Sequence, residues 1–415
     1  MPGPDAQLLA LRLVRRARRG AVRIMFSTLM AVLRPVRIAV VYGAPDFEEN
    51  SLVTTARLTG AYTGRVVLLC ADPEATRRYL THVGARLGID TSRVELVTKR
   101  QWANLRLVAS AELLFYTHGL FFSPRPRGRR LHVNLWHGTG PKSSALRQFA
   151  SSYHPSAHSA ASRPWGEATV RALRMLPGTP VIPGNARSDL LIAPTDRAAA
   201  LRSLGLDPDR PIVLWVPTYR RTDAISLRQV EEGISLLSVH GGDLAPADLA
   251  AAADSAGVTL LLKPHPSDQD RLGALGLPVV TSDQLWAAGL SFGELMDLSA
   301  AVLSDYSSAW VDWLGLRRPL ALFCPDLREY VAERGLNAPP LDEIGAELMI
   351  DSPAGAAEFF GAIAAGQPFR GEALARLAEV LEVAPADGHR SEQLLVAVRD
   401  LARSRFGNDL GLSGA

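Results

Sequence analysis

Five short polar clusters carry the residue types that acid–base and phosphate chemistry needs. The first is Trp136-His137-Gly138-Thr139-Gly140-Pro141-Lys142. A histidine titrates near neutrality and so can accept a proton, and the two glycines allow close backbone approach. Lys142 could answer a phosphate charge; the plainer alternative is a loop histidine bonded to backbone, with Trp136 in the core. The second cluster, Ser304-Asp305-Tyr306-Ser307-Ser308, precedes a helical stretch at Ala309–Leu316. Ser307 or Ser308 as N-cap would aim a hydroxyl and free N–H groups at an anion, or would simply cap its own helix. Asp312, one turn on, either complements the helix dipole or orients a ligand hydroxyl.

The third cluster is Lys263-Pro264-His265-Pro266, in which two prolines stiffen the histidine's loop. The fourth, Val216-Pro217-Thr218-Tyr219-Arg220, offers a hydroxyl and a guanidinium to phosphate. In the fifth, Gly184-Asn185-Ala186-Arg187-Ser188-Asp189, Arg187 is either a ligand contact or the ion-pair partner of Asp189.

These clusters need strands to place them. Short apolar, β-branched runs at Val36–Tyr42, Val66–Cys70, Val94–Val97, Ala111–Tyr116 and Leu131–Leu135 alternate with helical patterns. After an interruption around Pro177–Gly184 the rhythm resumes at Ile212–Val216, Thr259–Lys263, Val279–Thr281, Ala301–Leu303 and Leu320–Phe323. Buried runs separated by helices predict parallel sheets covered on both faces. The expected fold class is therefore α/β, with two doubly wound Rossmann-like domains facing a cleft. In such sheets ligands bind beyond the carboxyl ends of the strands, where four of the five clusters fall. The expected division is a basic segment 1–35, an N-terminal Rossmann-like domain 36–183, a C-terminal Rossmann-like domain 184–353 and C-terminal helices 354–415. Residues 225–252 read as a partly helical insertion, and the tail Gly407–Ala415 as frayed.

The chain has 415 residues, 47% hydrophobic and 21% charged, with net charge +3. That composition suits a globular protein with two cores and excludes a disordered one. Cys70 and Cys324 both sit in apolar runs and read as buried free thiols. No Cys/His spacing suggests zinc, and no acidic cluster has metal-ligand spacing, so neither metal nor cofactor is assigned. Six arginines between Arg12 and Arg23 precede the apolar run Ile24–Leu33, which is shorter than the roughly 20 residues a membrane span requires. The favoured reading is an amphipathic helix on an anionic membrane surface; a helix packed on the first domain and a secretory signal are the alternatives. Nucleic acid is excluded because the basic run lacks interleaved aromatics.

The clusters also occur in a family order. Trp136–Lys142, Gly184–Asp189, Val216–Arg220, His265–Pro266 and Ser304–Asp312, followed by Arg318-Pro319-Leu320, Asp326–Tyr330 and Arg334-Gly335, resemble the CDP-glycerol glycerophosphotransferases, the teichoic acid primases and polymerases. The resemblance runs from Leu131 to Asn337. It departs at Gly140-Pro141 (Pro-Leu in the family), Ala186 (Pro), Val216 (Ala) and Ser267-Asp268 (often a second His).

The resemblance implies a glycosyltransferase-B-like fold and transfer of a polyol phosphate from CDP-glycerol, or a related CDP-polyol, to a lipid-linked envelope polymer. It implies His137 and His265 as catalytic residues. Ser307, Ser308, Arg220, Thr218 and Lys263 would serve the donor phosphates, with Asp305, Asp312, Lys142 and Arg187 completing the site. The expected location is the cytoplasmic face of the membrane. The rival readings are a nucleotide-sugar transferase or epimerase on the same fold, which would call for a ribose-binding Glu and a Gly-rich loop, and a non-catalytic membrane-surface scaffold.

Overall fold

The computed structural model describes residues 20–100, 102–119, 124–143, 153–193, 195–218, 243–264 and 276–414. Seven parallel strands form the first sheet: β1 (Val36–Tyr42), β2 (Arg65–Cys70), β3 (Glu95–Thr98), β4 (Ala111–Tyr116), β5 (Leu131–Asn134), β6 (Ala157–Ala160) and β7 (Val181–Pro183), in the order β3-β2-β1-β4-β5-β6-β7. The second sheet has β8 (Ile212–Val216), β9 (Thr259–Leu262), β10 (Ala301–Ser304) and β11 (Leu320–Leu322), all parallel, in the order β11-β10-β8-β9. β1 lies inside the sheet, paired with β2 and β4 on its two edges, and its successive residues Ala39, Val40 and Val41, which point to alternate faces, are all buried. The α/β class and the two doubly wound sheets are thus as the sequence predicts.

Three details differ. β6 and β7 are additional strands; β6 reads Ala-His-Ser-Ala, a sequence with little intrinsic strand preference that its neighbours bury completely. Val279 makes only an isolated bridge to Leu262, so the expected strand Val279–Thr281 does not form. Of the two free thiols, Cys70 is buried and Cys324 only half-buried.

The described part of the N-terminal segment packs inward. Residues 20–32 form helix α1, which buries Val22, Phe26 and Met30 at four-residue spacing against Ile38, Val40 and Val67. The buried Arg130 guanidinium ties it down, donating to the carbonyls of Met30 (2.9 Å) and Leu33 (2.6 Å). Ile24 and Val32 stay outward, 69% and 75% exposed. The apolar run is therefore divided between core and solvent, and the arginines from Arg12 to Arg19 lie outside the described residues. Among the described residues no helix is long and apolar enough to cross a membrane.

The chain's last helix, Arg390–Phe406, returns to the first sheet, where Leu394, Leu395, Val398 and Ala402 join the core of Leu52, Val53 and Leu131. Each such buried leucine or valine contributes about 1.5–3 kcal/mol. The tail is not frayed as expected: Leu410 and Leu412 are buried, and Thr63 N–H donates to the Gly411 carbonyl at 3.0 Å.

Candidate active site

The loop after β5 is built to present His137. Asn134 Oδ1 accepts the Trp136 N–H at 2.7 Å, folding the chain back as it leaves the strand. Trp136 consequently sits at φ 54°, a left-handed conformation that costs a non-glycine residue about 1–3 kcal/mol. Its indole packs on the His137 ring at 4.4 Å between centroids, and His118, two residues beyond β4, stacks on that ring at 4.3 Å and 9°. The carbonyls on either side of this turn are held from other elements. Asn50, in helix α2 (Glu49–Ala61), reaches the Trp136 carbonyl at 3.5 Å, and Arg187 Nη1 donates to the His137 carbonyl at 3.0 Å.

Arg187 joins the two halves. Its guanidinium lies on Asp312 of the helix Ala309–Trp313, with Nε at 2.9 Å and Nη2 at 2.5 Å from Oδ2. Asn185 and Ser188 donate to Oδ1 of the same carboxylate at 2.8 and 3.3 Å. Burial opposes the Arg187 charge, but Asp312 and Glu48 outweigh it and raise the guanidinium's affinity for its proton. The partner is Asp312 rather than Asp189. Positions 187 and 189 lie in a 3-10 helix, Ala186–Ile192, whose three-residue turn points them to different faces. Asp189 instead accepts from Arg390 N and from both N–H and hydroxyl of Ser391, which fastens the last helix.

Ser308 meets the His137 loop directly. A Cβ on Gly138 would fall on the Ser308 hydroxyl and lie 2.9 Å from its Cβ, and one on Gly140 would lie 3.0 Å from the Ser308 Cα. Ser308 is the N-cap of Ala309–Trp313, and its hydroxyl does not cap that helix. Asn337 closes the far side, donating to the carbonyls of Gly140 (2.8 Å) and Lys142 (3.1 Å). Trp136, His137, Lys142, Thr169, Tyr306, Ser308 and Asn337 line a cavity of about 60 Å³ here. Ligand sites usually span about 300–1,000 Å³, several times this volume. Gly138→Ala should therefore unseat the loop from Ser308. We expect turnover to fall at least about tenfold with thermal stability shifted by less than about 2 kcal/mol, read from nucleotide release and melting curves.

The remaining predicted residues fall into separate groups. Asp305 accepts from the Thr218 N–H (2.9 Å) and hydroxyl (2.7 Å) and from Ser307 N–H (3.1 Å), which ties the ends of β8 and β10 together. Buried Lys263 donates to Ser282 at 3.2 Å and lies 5.0 Å over the Phe292 ring; burial lowers its pKa. Arg220 and His265 lie outside the described residues, as does most of the segment 225–252.

Sequence reasoning passed over Glu48, Glu49, Asn50, His118 and Asn337, and gave Asn185 of the fifth cluster no role. Glu48 caps α2, and Glu49 accepts the N–H groups of Phe292 (2.6 Å) and Gly293 (3.3 Å) across the interface. Burial pushes the Glu49 carboxyl up to about 7. The available signal was position: Glu48, Glu49 and Asn50 follow β1 at its carboxyl end.

Comparison with known proteins agrees with this architecture. A structure of the wall teichoic acid polymerase TagF, in a histidine-to-alanine variant, superposes with TM-score 0.65 at 15% identity, covering 96% of this chain and 98% of that one. A histidine-to-asparagine variant of TagF soaked with CDPG gives 0.62 at 14% identity, covering 97% and 99%. No curated protein matches the chain in sequence. The model of one family, CDP-glycerol:poly(glycerophosphate) glycerophosphotransferase, matches residues 71–352, well over half the chain and every cluster from Trp136 to Asp312. The chain belongs to the CDP-glycerol:poly(glycerophosphate) glycerophosphotransferase family.

Proposed function

We propose that this enzyme, a transferase of glycerol phosphate from CDP-glycerol in teichoic acid synthesis, uses His137 as general base on a hydroxyl of a lipid-linked acceptor. The supporting observation is the contact of Gly138 and Gly140 with Ser308, which brings a proton acceptor from one sheet against a free hydroxyl at a helix start of the other. His137 takes the acceptor's proton as its oxygen attacks the glycerol-bearing phosphorus, the bond to CMP breaks, and CMP leaves with its phosphate charged. Ser307 and Ser308 hold the donor's pyrophosphate, with Lys142 alongside and with Arg220 and His265 adding positive charge. Thr218 and Asp305 set the strand ends on which the serines stand, and Lys263 reaches a phosphate by exchanging its bond to Ser282. Arg187 and Asp312 hold the closed arrangement. Phosphoryl transfer of this kind depends on positioning and charge more than on covalent help.

In this reading the enzyme works on the inner face of the cell membrane. The arginines between Arg12 and Arg23, with outward Ile24 and Val32, supply the charge and apolar area that an anionic surface takes up. One experiment tests donor, acceptor and surface together. The purified enzyme is given CDP-glycerol, CDP-ribitol or a UDP-sugar, with a lipid-linked glycerophosphate acceptor in anionic or neutral vesicles, and products are weighed by mass spectrometry. We expect CMP release and addition of one or more glycerol phosphates from CDP-glycerol, faster on anionic vesicles. Consumption of a UDP-sugar in preference to CDP-glycerol would overturn the donor assignment, and equal rates on both vesicles would overturn the surface.

A further inference from the structure

His118 is in none of the polar clusters, yet it is the ring most closely aligned with His137. The two imidazoles are parallel within 9° at 4.3 Å between centroids, with the Trp136 indole also against His137 at 4.4 Å. His118 is placed by its own strand. It follows β4, and its Nδ1 lies 3.1 Å from the Thr117 hydroxyl, which accepts the Ala44 N–H from the end of β1. Two adjacent strand ends thus hold the two rings face to face. A charged ring stacks well on a neutral one, but two imidazolium rings at this distance repel strongly. Such a pair takes its first proton readily and its second only at a lower pH, and the two steps belong to the pair.

We propose that His118 is a positioning residue that holds the His137 ring in plane and takes the pair's first proton, so that its charge keeps His137 available as a base at pH values where a lone histidine would be protonated. The proposal rests on His137 being the base. Among the described residues, the other charged and titratable groups around the pair come from several elements. Arg187 bonds the His137 carbonyl and is paired to Asp312, with Glu48 near it; Lys142 lines the same cavity. Lys99 and Asp46 form an ion pair beside Gly43, below Thr117. His158 lies behind Trp136 at 6.3 Å, and complete burial holds it neutral. Of the groups around His137, only His118 is an imidazole lying face to face with its ring.

The test compares wild type with His118→Phe, which keeps a stacking ring without a proton, His118→Gln, which removes the ring, and His137→Ala. We expect His118→Phe to keep kcat within about threefold at pH 8 while the acid limb of kcat/KM moves up by about 0.5–1 pH unit. His118→Gln should show the same shift and a further loss of kcat of about tenfold. Imidazole NMR titration of His137 should be biphasic in wild type and a single step in His118→Phe. An unshifted acid limb and an unchanged His137 titration in both His118 variants would overturn the proposal. Should His137→Ala itself turn over normally, the base assignment fails instead, and the NMR titration of the wild type still reports whether the two rings' protonations are coupled.

Discussion

Replacing His137 by alanine is expected to lower CMP release by at least about 10²-fold in a protein that still folds. The size follows from what the ring supplies. A positioned general base typically contributes about 10²–10⁴-fold, and in the proposed mechanism the acceptor hydroxyl must lose its proton to attack a phosphorus whose oxygens are already anionic. The fold should survive because the interactions that fix the loop are made by backbone. The Trp136 N–H is held by Asn134, and the carbonyls of Trp136 and His137 by Asn50 and Arg187. Alanine keeps all three. The measurement is single-turnover CMP release at saturating CDP-glycerol, beside a melting curve and a donor-binding titration. Unchanged donor affinity with lost turnover is the pattern of a base. Near-wild-type release from a folded His137→Ala enzyme would remove His137 from the chemistry altogether.

What could be read from the sequence, and what could not, separates along one line. Strands such as Val36–Tyr42 and Ala111–Tyr116 are legible because a continuous apolar run is buried by its own composition, whatever surrounds it. β6 is not, since Ala157–Ala160 is a strand only because β5 and β7 flank it. The same holds in the site. The Trp136–Lys142 and Ser304–Ser308 clusters are local and were visible. The groups that lock them together act across the two sheets: Asn337 on the Gly140 carbonyl and Glu49 on Phe292 and Gly293. A lone Asn or Glu far along the chain from its partner carries no spacing signal. The partner of Arg187 shows the bias directly, since the only ion pair the sequence suggested for it was with Asp189. Asp189 is two residues away and Asp312 is 125 away, and only the near one stood out in the sequence.

Breaking the Arg187–Asp312 pair should therefore do more damage than any other single change in the interface. Both side chains are largely out of water, at 17% and 4% exposure, and the carboxylate accepts from Arg187, Asn185 and Ser188 together. Asp312→Ala takes from a buried guanidinium the one carboxylate bonded to it, leaving only the more distant Glu48 and Glu49 charges, and leaves two donors without an acceptor. We expect a loss of about 3–5 kcal/mol in unfolding free energy, the usual cost of stranding a buried charge. Turnover should fall as well, because the guanidinium freed from Asp312 no longer holds the His137 carbonyl at a fixed place. The double variant Arg187→Met with Asp312→Leu separates the two effects. Replacing a buried pair by apolar side chains of similar volume is often close to neutral for stability, so most of the lost free energy should return. Activity should not, since methionine donates nothing to the His137 carbonyl. Urea unfolding and CMP release measured on the two variants give the answer. If the double variant recovers full turnover along with stability, the pair only glues the halves together. If it recovers stability alone, the ion pair is what carries the position of His137 from one sheet to the other.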